Sequence, residues 1–254
     1  MTPETAPTPA RHGFYAIAHR AGNNLHHLEQ ALEAGVDAIE CDFWHDRGRL
    51  ALRHERKLPA LPVLYDKWYL RFSWGELSLR DLLREINFRA DLFLDIKSAT
   101  PRAAKAVLEL YHDNASLMPR TLVSSQQWRV LDQLAEAGTS MQMYYSVGRE
   151  RAIDALIRRA EKAPRASRPA GTSIRHTLLS AEVVERLHGA GLEVFAWTVN
   201  TRHRVEELLS FGVDGVISDD VELQAELRRE TANGKQQTAT NGGEQTTDNR
   251  QQDG

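Results

Sequence analysis

The chain has 254 residues, with 32 Lys and Arg against 35 Asp and Glu, a formal net charge of −3 and a single cysteine. The near balance of charge gives no basic field for nucleic acid, no apolar run approaches the ~20 residues that span a bilayer, and a lone Cys41 excludes an internal disulfide. An apolar fraction of 41% supports a real core, in one large α/β domain or two small ones.

Residues 1–12 are rich in Pro, Thr and Ala and lack the apolar centre of a secretory leader, so they read as a flexible segment. An apolar run at 15–20 (YAIAHR) then opens an alternating pattern. Further β-rich runs fall at 37–43, 91–97, 121–125, 141–146, 171–175, 193–199 and 214–218. Amphipathic stretches separate them at about 24–34, 78–88, 101–113, 127–137, 149–162, 180–190 and 202–211. Gly35, Gly138, Gly191 and Gly212 stand where helix-like stretches stop, a position that favours a left-handed residue. Eight strand–helix units imply parallel strands and a compact (β/α)8 TIM barrel over residues 13–230. An open doubly wound sheet is the alternative, but no GxGxxG follows the first run and no GxxxxGK[ST] occurs. Residues 231–254 are Gln, Thr, Asn, Gly and Asp with almost nothing apolar, which predicts a disordered tail.

Charged residues gather at the ends of these runs, where a barrel carries its sites. His19 and Arg20 close the first run, Glu40 and Asp42 lie in the second, and Asp95 and Lys97 end the third. Side chains two apart on a strand point the same way, so Glu40 and Asp42 aim at one spot, as do Asp95 and Lys97. Cys41 alternates away and reads as a buried packing residue. His54 follows a turn (DRGR) and a short run (LALRH) that could return it to the same rim.

Three carboxylates suit a hard divalent cation, Mg²⁺ or Ca²⁺, and Glu40, Asp42 and Asp95 are the expected ligands. Arg20 and Lys97 add fixed positive charge for a phosphate. His19 and His54 supply an acid and a base near neutral pH. The bland alternatives are an Asp95–Lys97 ion pair, a structural partner for Arg20 and simple core packing for Trp197. His26, His27, His45, His112 and His203 read as structural or surface histidines. The stretch from Lys57 to Leu77 reads as a loop packed over the rim, or as a lid using Trp68 and Trp74 to shape a pocket there or touch lipid.

HRAGNN, GVDAIECDFWHDRGRLALRHE, LFLDIK, FAWTVN and GVDGVISDD resemble, in order and spacing, the motifs of the glycerophosphodiester phosphodiesterases, over about residues 14–220. The resemblance implies a PLC-like phosphodiesterase TIM barrel, a divalent metal, and hydrolysis of glycerophosphodiesters to an alcohol and glycerol phosphate. It implies His19 and His54 as catalytic residues and Glu40, Asp42 and Asp95 as metal ligands. Arg20, Lys97 and Trp197 would meet a small glycerophosphodiester or lysophospholipid substrate. Departures are Ala21 for the usual glycine, Gly22-Asn23-Asn24 for Glu-Asn-Thr, Glu55 for Asp, and Asp95 for Glu. The short spacing from His19 to Glu40 and the DIK motif also resemble the sphingomyelinase D phospholipases, which often yield a cyclic phosphate. A barrel that binds phosphate without cutting is a further alternative. A cytoplasmic location is the expectation from the single cysteine and the lack of a leader.

Overall fold

The computed structural model describes residues 14–58, 61–66, 69–73 and 77–230. The expected terminal segments, together with Trp68 and Trp74, lie outside the described residues.

The strands are β1 (Tyr15–Ala18), β2 (Ala38–Asp46), β3 (Arg49–Leu52), β4 (Arg56–Lys57), β5 (Val63–Tyr65), β6 (Leu70–Phe72), β7 (Asp91–Ile96), β8 (Thr121–Ser125), β9 (Gln142–Val147), β10 (Gly171–Arg175), β11 (Glu193–Trp197) and β12 (Gly215–Ser218). The helices are α1 (Leu25–Ala34), α2 (Leu79–Ile86), α3 (Pro101–His112), α4 (Trp128–Glu136), α5 (Arg151–Lys162), α6 (Ala181–Gly189) and α7 (Arg202–Ser210). Strands β1, β2 and β7 to β12 pair in parallel, and β12 pairs with β1, so the sheet closes into an eight-stranded barrel. All eight expected strands and all seven expected helices are present. The open doubly wound sheet is excluded by that closure.

The helices start and stop for local reasons. Asn24 accepts from the backbone N–H of His26 at 2.8 Å and caps α1. Ser78 and Asp81 form a reciprocal capping box on α2. Gly35 takes φ 71° after α1, and the other three glycines expected at helix ends are left-handed as well.

Two apolar layers result. Alternate strand residues such as Ile39, Cys41, Leu94 and Val123 face the helices in the main core. The other face fills the barrel interior with Tyr15, Phe93, Tyr144 and Phe195. Tyr144 stacks on Phe195 with ring centroids 4.5 Å apart. Gly171 makes room for this plug, since a Cβ there would lie 2.4 Å from the Glu193 carbonyl and 2.6 Å from the Tyr144 ring. The aromatic plug leaves the upper mouth for polar side chains.

Two features stand outside the eight-unit repeat. β3 runs antiparallel to β2 as a hairpin. β4, β5 and β6 form a separate antiparallel sheet where a rim loop was expected. These strands are only two or three residues long and expose Leu70 and Phe72, so no apolar alternation marks them. After β12 a helical segment at 221–230 packs on the barrel. There Gln224, wholly buried, donates to the carbonyls of Ile17 and Val216 at 3.1 and 2.8 Å and ties the segment to β1 and β12.

Candidate active site

Strand register assembles the acidic cluster. In the β2–β7 pair, Asp42 lies directly beside Asp95, and Glu40 is two residues back on the same face. One oxygen from each of Glu40, Asp42 and Asp95 lies within 4.8 Å of the others. Cys41 points the other way and is fully buried, as expected.

Lys97 bridges the cluster, with Nζ 2.7 Å from Asp42 Oδ1 and 2.5 Å from Asp95 Oδ2. The ion pair expected as a bland alternative thus exists, inside the site. Arg20 follows β1 with φ 55°. That turn aims its backbone N–H at Glu40 Oε2 (2.5 Å) and places its Nε 3.5 Å from Asp42 Oδ2. Asn23 grips Asp42 twice, donating to Oδ2 at 2.9 Å and accepting from the Asp42 backbone N–H at 3.0 Å.

The charges respond to this crowding. Burial and the neighbouring Asp42 and Asp95 push the Glu40 carboxyl well above the carboxylate range. Burial works the same way on Asp42, but Lys97, His54 and Arg20 outweigh it and hold Asp42 below its usual value. Burial would lower the Lys97 ammonium, yet Asp95, Asp42 and Glu40 raise it. Asp95 Oδ1 is buried and accepts no hydrogen bond. Three hard oxygen donors, one orphaned and one forced toward its neutral form, suit a divalent cation.

The β2–β3 hairpin returns His54 to this rim, as the short run LALRH suggested. The Arg53 backbone N–H donates to the Asp42 carbonyl at 3.0 Å, which fixes the return. His54 Nδ1 stands 3.6 Å from Asp66 Oδ2, beyond β5. Burial lowers the His54 pKa, Asp42 opposes this, and Arg20 and Lys97 lower it further. Glu55 anchors the next turn by accepting from Arg71 Nε at 2.7 Å and Tyr69 Oη at 3.0 Å. Burial opposes ionisation of Glu55, but these bonds bring it down to about 2.

His19 closes the ring opposite. Its Nδ1 lies 2.6 Å from Asp219 Oδ1, just past β12. Asn200 donates to Asp219 Oδ2 at 2.7 Å and accepts the Asp219 backbone N–H at 3.0 Å. The hydrogen bond from His19 is the largest cause that draws Asp219 down to about 2. An ionised carboxylate only accepts, so His19 carries its proton on Nδ1 and keeps Nε2 available.

A cavity of about 140 Å³ joins His19, Arg20, Glu40, His54, Asp95 and Lys97. Phe93 and Ile217 line it, together with Trp197, Gln126, Ser146 and Ser173. Trp197 also packs on the barrel plug, so core packing and cavity lining coincide in one residue. Its buried Nε1 has no hydrogen-bond partner. All eight residues expected from the sequence therefore converge. Asp219, Asn200, Asp66, Gln126, Ser146 and Ser173 were not anticipated. For Asp219 and Asn200 the available signal was their place just after the last two strands.

The family model described as the glycerophosphoryl diester phosphodiesterase family matches residues 85–223, more than half of the chain. The chain belongs to that family. The matched stretch of this glycerophosphoryl diester phosphodiesterase family member carries Asp95, Lys97, Trp197, Asn200 and Asp219; His19, Glu40, Asp42 and His54 lie before it. Among solved structures, the glycerophosphodiester phosphodiesterase of Thermotoga maritima superposes with a TM-score of 0.67 at 21% identity, covering 86% of this chain and 100% of that one. The Oleispira antarctica phosphodiesterase, solved with the product sn-glycerol-3-phosphate, gives 0.67 at 17% identity over 85% of this chain and 96% of that one. At such identities these likenesses establish the barrel alone. Bacillus subtilis "Putative glycerophosphodiester phosphodiesterase YhdW" is 38% identical over 47 residues, only 19% of its length and 18% of this chain.

Proposed function

We propose that this protein hydrolyses small glycerophosphodiesters to an alcohol and glycerol phosphate, with residues 13–230 as the catalytic unit. The observation that carries the reading is the convergence of two histidines, Lys97, Glu40 and Asp95 on one cavity, with Asp42 buried in the same acidic cluster. The family match and the product named for the Oleispira neighbour agree with it.

In this reading Glu40, Asp42 and Asp95 hold a divalent cation, Mg²⁺ or Ca²⁺. When bound, the cation neutralises charge on the phosphate oxygens. Arg20 and Lys97 offer further positive charge to the same oxygens. Asn23 keeps Asp42 oriented, and Asp219 with Asn200 keeps the His19 ring turned so that Nε2 faces the cavity. One histidine takes the proton of the attacking oxygen, and the other supplies a proton to the departing alkoxide. The 140 Å³ cavity has room for a group of glycerol size, with Ser146 and Ser173 as polar partners. The alcohol then extends past His54 into a second cavity of about 470 Å³ that opens to solvent.

Nothing in the comparisons favours a sphingomyelinase D-like activity or a barrel that only binds. Among the described residues no helix is long and apolar enough to cross a membrane. Cys41, free and buried, fits a reducing compartment such as the cytoplasm.

Incubating the purified protein with glycerophosphocholine and Mg²⁺ or Ca²⁺, followed by ³¹P NMR, tests the reading. Glycerol phosphate that disappears with chelator is the expected result, and His19→Ala and His54→Ala should each lose most turnover while remaining folded. A cyclic phosphate from lysophosphatidylcholine or sphingomyelin alone would move the protein to the phospholipase class. Metal binding without turnover of any diester would leave a binding barrel.

A further inference from the structure

The cavity that takes the alcohol sets Arg56 and Lys97 against Asp66 and Asp95, but the space it opens into is electrically lopsided. Beyond His54 the cavity is continuous with a cleft of about 750 Å³, and Lys97, Trp44, Arg56, Tyr65 and Gln127 line both. The cleft adds Arg47, Arg53 and Lys57, so among the described residues its walls carry five basic side chains against one carboxylate, Asp46. That carboxylate already faces Arg53 Nη2 at 3.4 Å. Arg47 and Arg56 make no side-chain hydrogen bond or ion pair among the described residues. Arg56 is the decisive one, because it borders the alcohol cavity and the cleft together.

Such walls repel a choline or ethanolamine group. Trp44 and Tyr65 offer aromatic surface, but a cation placed there would meet Arg56 as well. Guanidinium groups left without a partner at the rim of a phosphate-processing cavity are suited to a second oxyanion. We infer that the preferred leaving alcohol carries its own phosphate monoester, as a phosphorylated polyol does, and that Arg56, supported by Arg47, binds that phosphate. This rests on the proposed hydrolase reading and names its substrate class. The reaction balances as ordinary hydrolysis. The bond from phosphorus to the alcohol oxygen breaks and a bond from phosphorus to the water oxygen forms. The water proton goes to one histidine and the alkoxide takes a proton from the other. The products are glycerol phosphate and the phosphorylated polyol.

The test pairs glycerophosphoinositol 4-phosphate with glycerophosphoinositol, which differ by one phosphate. A charge-assisted contact of ordinary strength predicts about a tenfold higher kcat/KM for the phosphorylated member, carried by KM. Arg56→Gln and Arg47→Gln should each reduce that ratio, with Arg56→Gln bringing it close to one. Equal kcat/KM for the two diesters in the wild type, or an unchanged ratio in both variants, overturns the inference and leaves the hydrolase reading standing. Calorimetry in chelator separates the two failures, with inositol 4-phosphate and inositol as probes. If neither diester is cut, the hydrolase reading fails. Tighter binding of inositol 4-phosphate that Arg56→Gln weakens still supports the anion site, and equal binding of both probes overturns it.

Discussion

Replacing Asp219 with Asn tests whether His19 works through its ring orientation. The carboxylate is held to about 2, so at working pH it only accepts, and its Oδ1 lies 2.6 Å from His19 Nδ1. The Asn200 amide donates to the other oxygen at 2.7 Å. An Asn at position 219 would turn its oxygen toward that Asn200 donor and so present its own NH₂ to His19. A donor facing Nδ1 makes Nδ1 the acceptor and moves the ring proton to Nε2, the atom that faces the cavity. The imidazolium also loses a charge-assisted bond worth about 1.5–3 kcal/mol, or roughly 10–150-fold in rate. With the inverted tautomer added, kcat should fall on the order of 10²–10³-fold. The fold should survive, because the Asp219 side chain is 54% exposed. Steady-state kinetics on glycerophosphocholine and ¹⁵N NMR of the His19 ring would read both effects. A kcat within threefold of wild type, with Nδ1 still protonated, would refute the reasoning.

Three further outcomes follow from the acidic cluster and its supports. Lys97→Met leaves Asp42, only 1% exposed, facing Asp95 without its ammonium, which should cost about 3–5 kcal/mol in metal-free protein. Thermal melting in chelator should show the loss and Mg²⁺ should recover part of it; a change below about 1 kcal/mol would contradict the assignment. Glu40 has a folded-state pKa above its ordinary 4.5, so its protonated form favours the metal-free fold below that value, and the contribution is lost as pH rises through the folded pKa. Metal binding should therefore release a proton near the raised pKa, seen as buffer-dependent heats in calorimetry and absent in Glu40→Gln. Glu55→Gln removes the ionised acceptor for Arg71 and Tyr69, costing about 2 kcal/mol locally. Hydrogen exchange should accelerate in β4–β6 more than in the barrel, and unchanged protection there would show that Glu55 does not hold the small sheet.

The parts legible in the sequence are those whose signals are local. Each barrel strand is a short β-rich run, several of them ended by charge, and most helices have a capping residue or a glycine within a few residues, so all fifteen elements were foreseeable one at a time. Glu40 and Asp42 were legible for the same reason: two residues apart on a strand, they had to share a face. The small sheet was not, because Leu70 and Phe72 are exposed and its strands are too short for alternation to show. The segment's three-strand pairing rests on backbone bonds that no side-chain pattern records.

Asp219 shows the limit most clearly, since it and His19 are 200 positions apart. In the chain Asp219 is one of two consecutive aspartates after a short apolar run, with nothing to separate it from a solvated strand end. Barrel closure makes it specific. β12 pairs with β1 residue for residue, from Tyr15 with Gly215 to Ala18 with Ser218. The next residues on the two strands are His19 and Asp219, so closure brings them side by side at the rim. Once an eight-strand barrel is inferred, the first and last strands must be neighbours, and here their level ends bring the next residues together. The neighbourhood of His19 and Asp219 was thus derivable from the expected topology, while the register that pairs them is a tertiary fact that strand-by-strand reading leaves out.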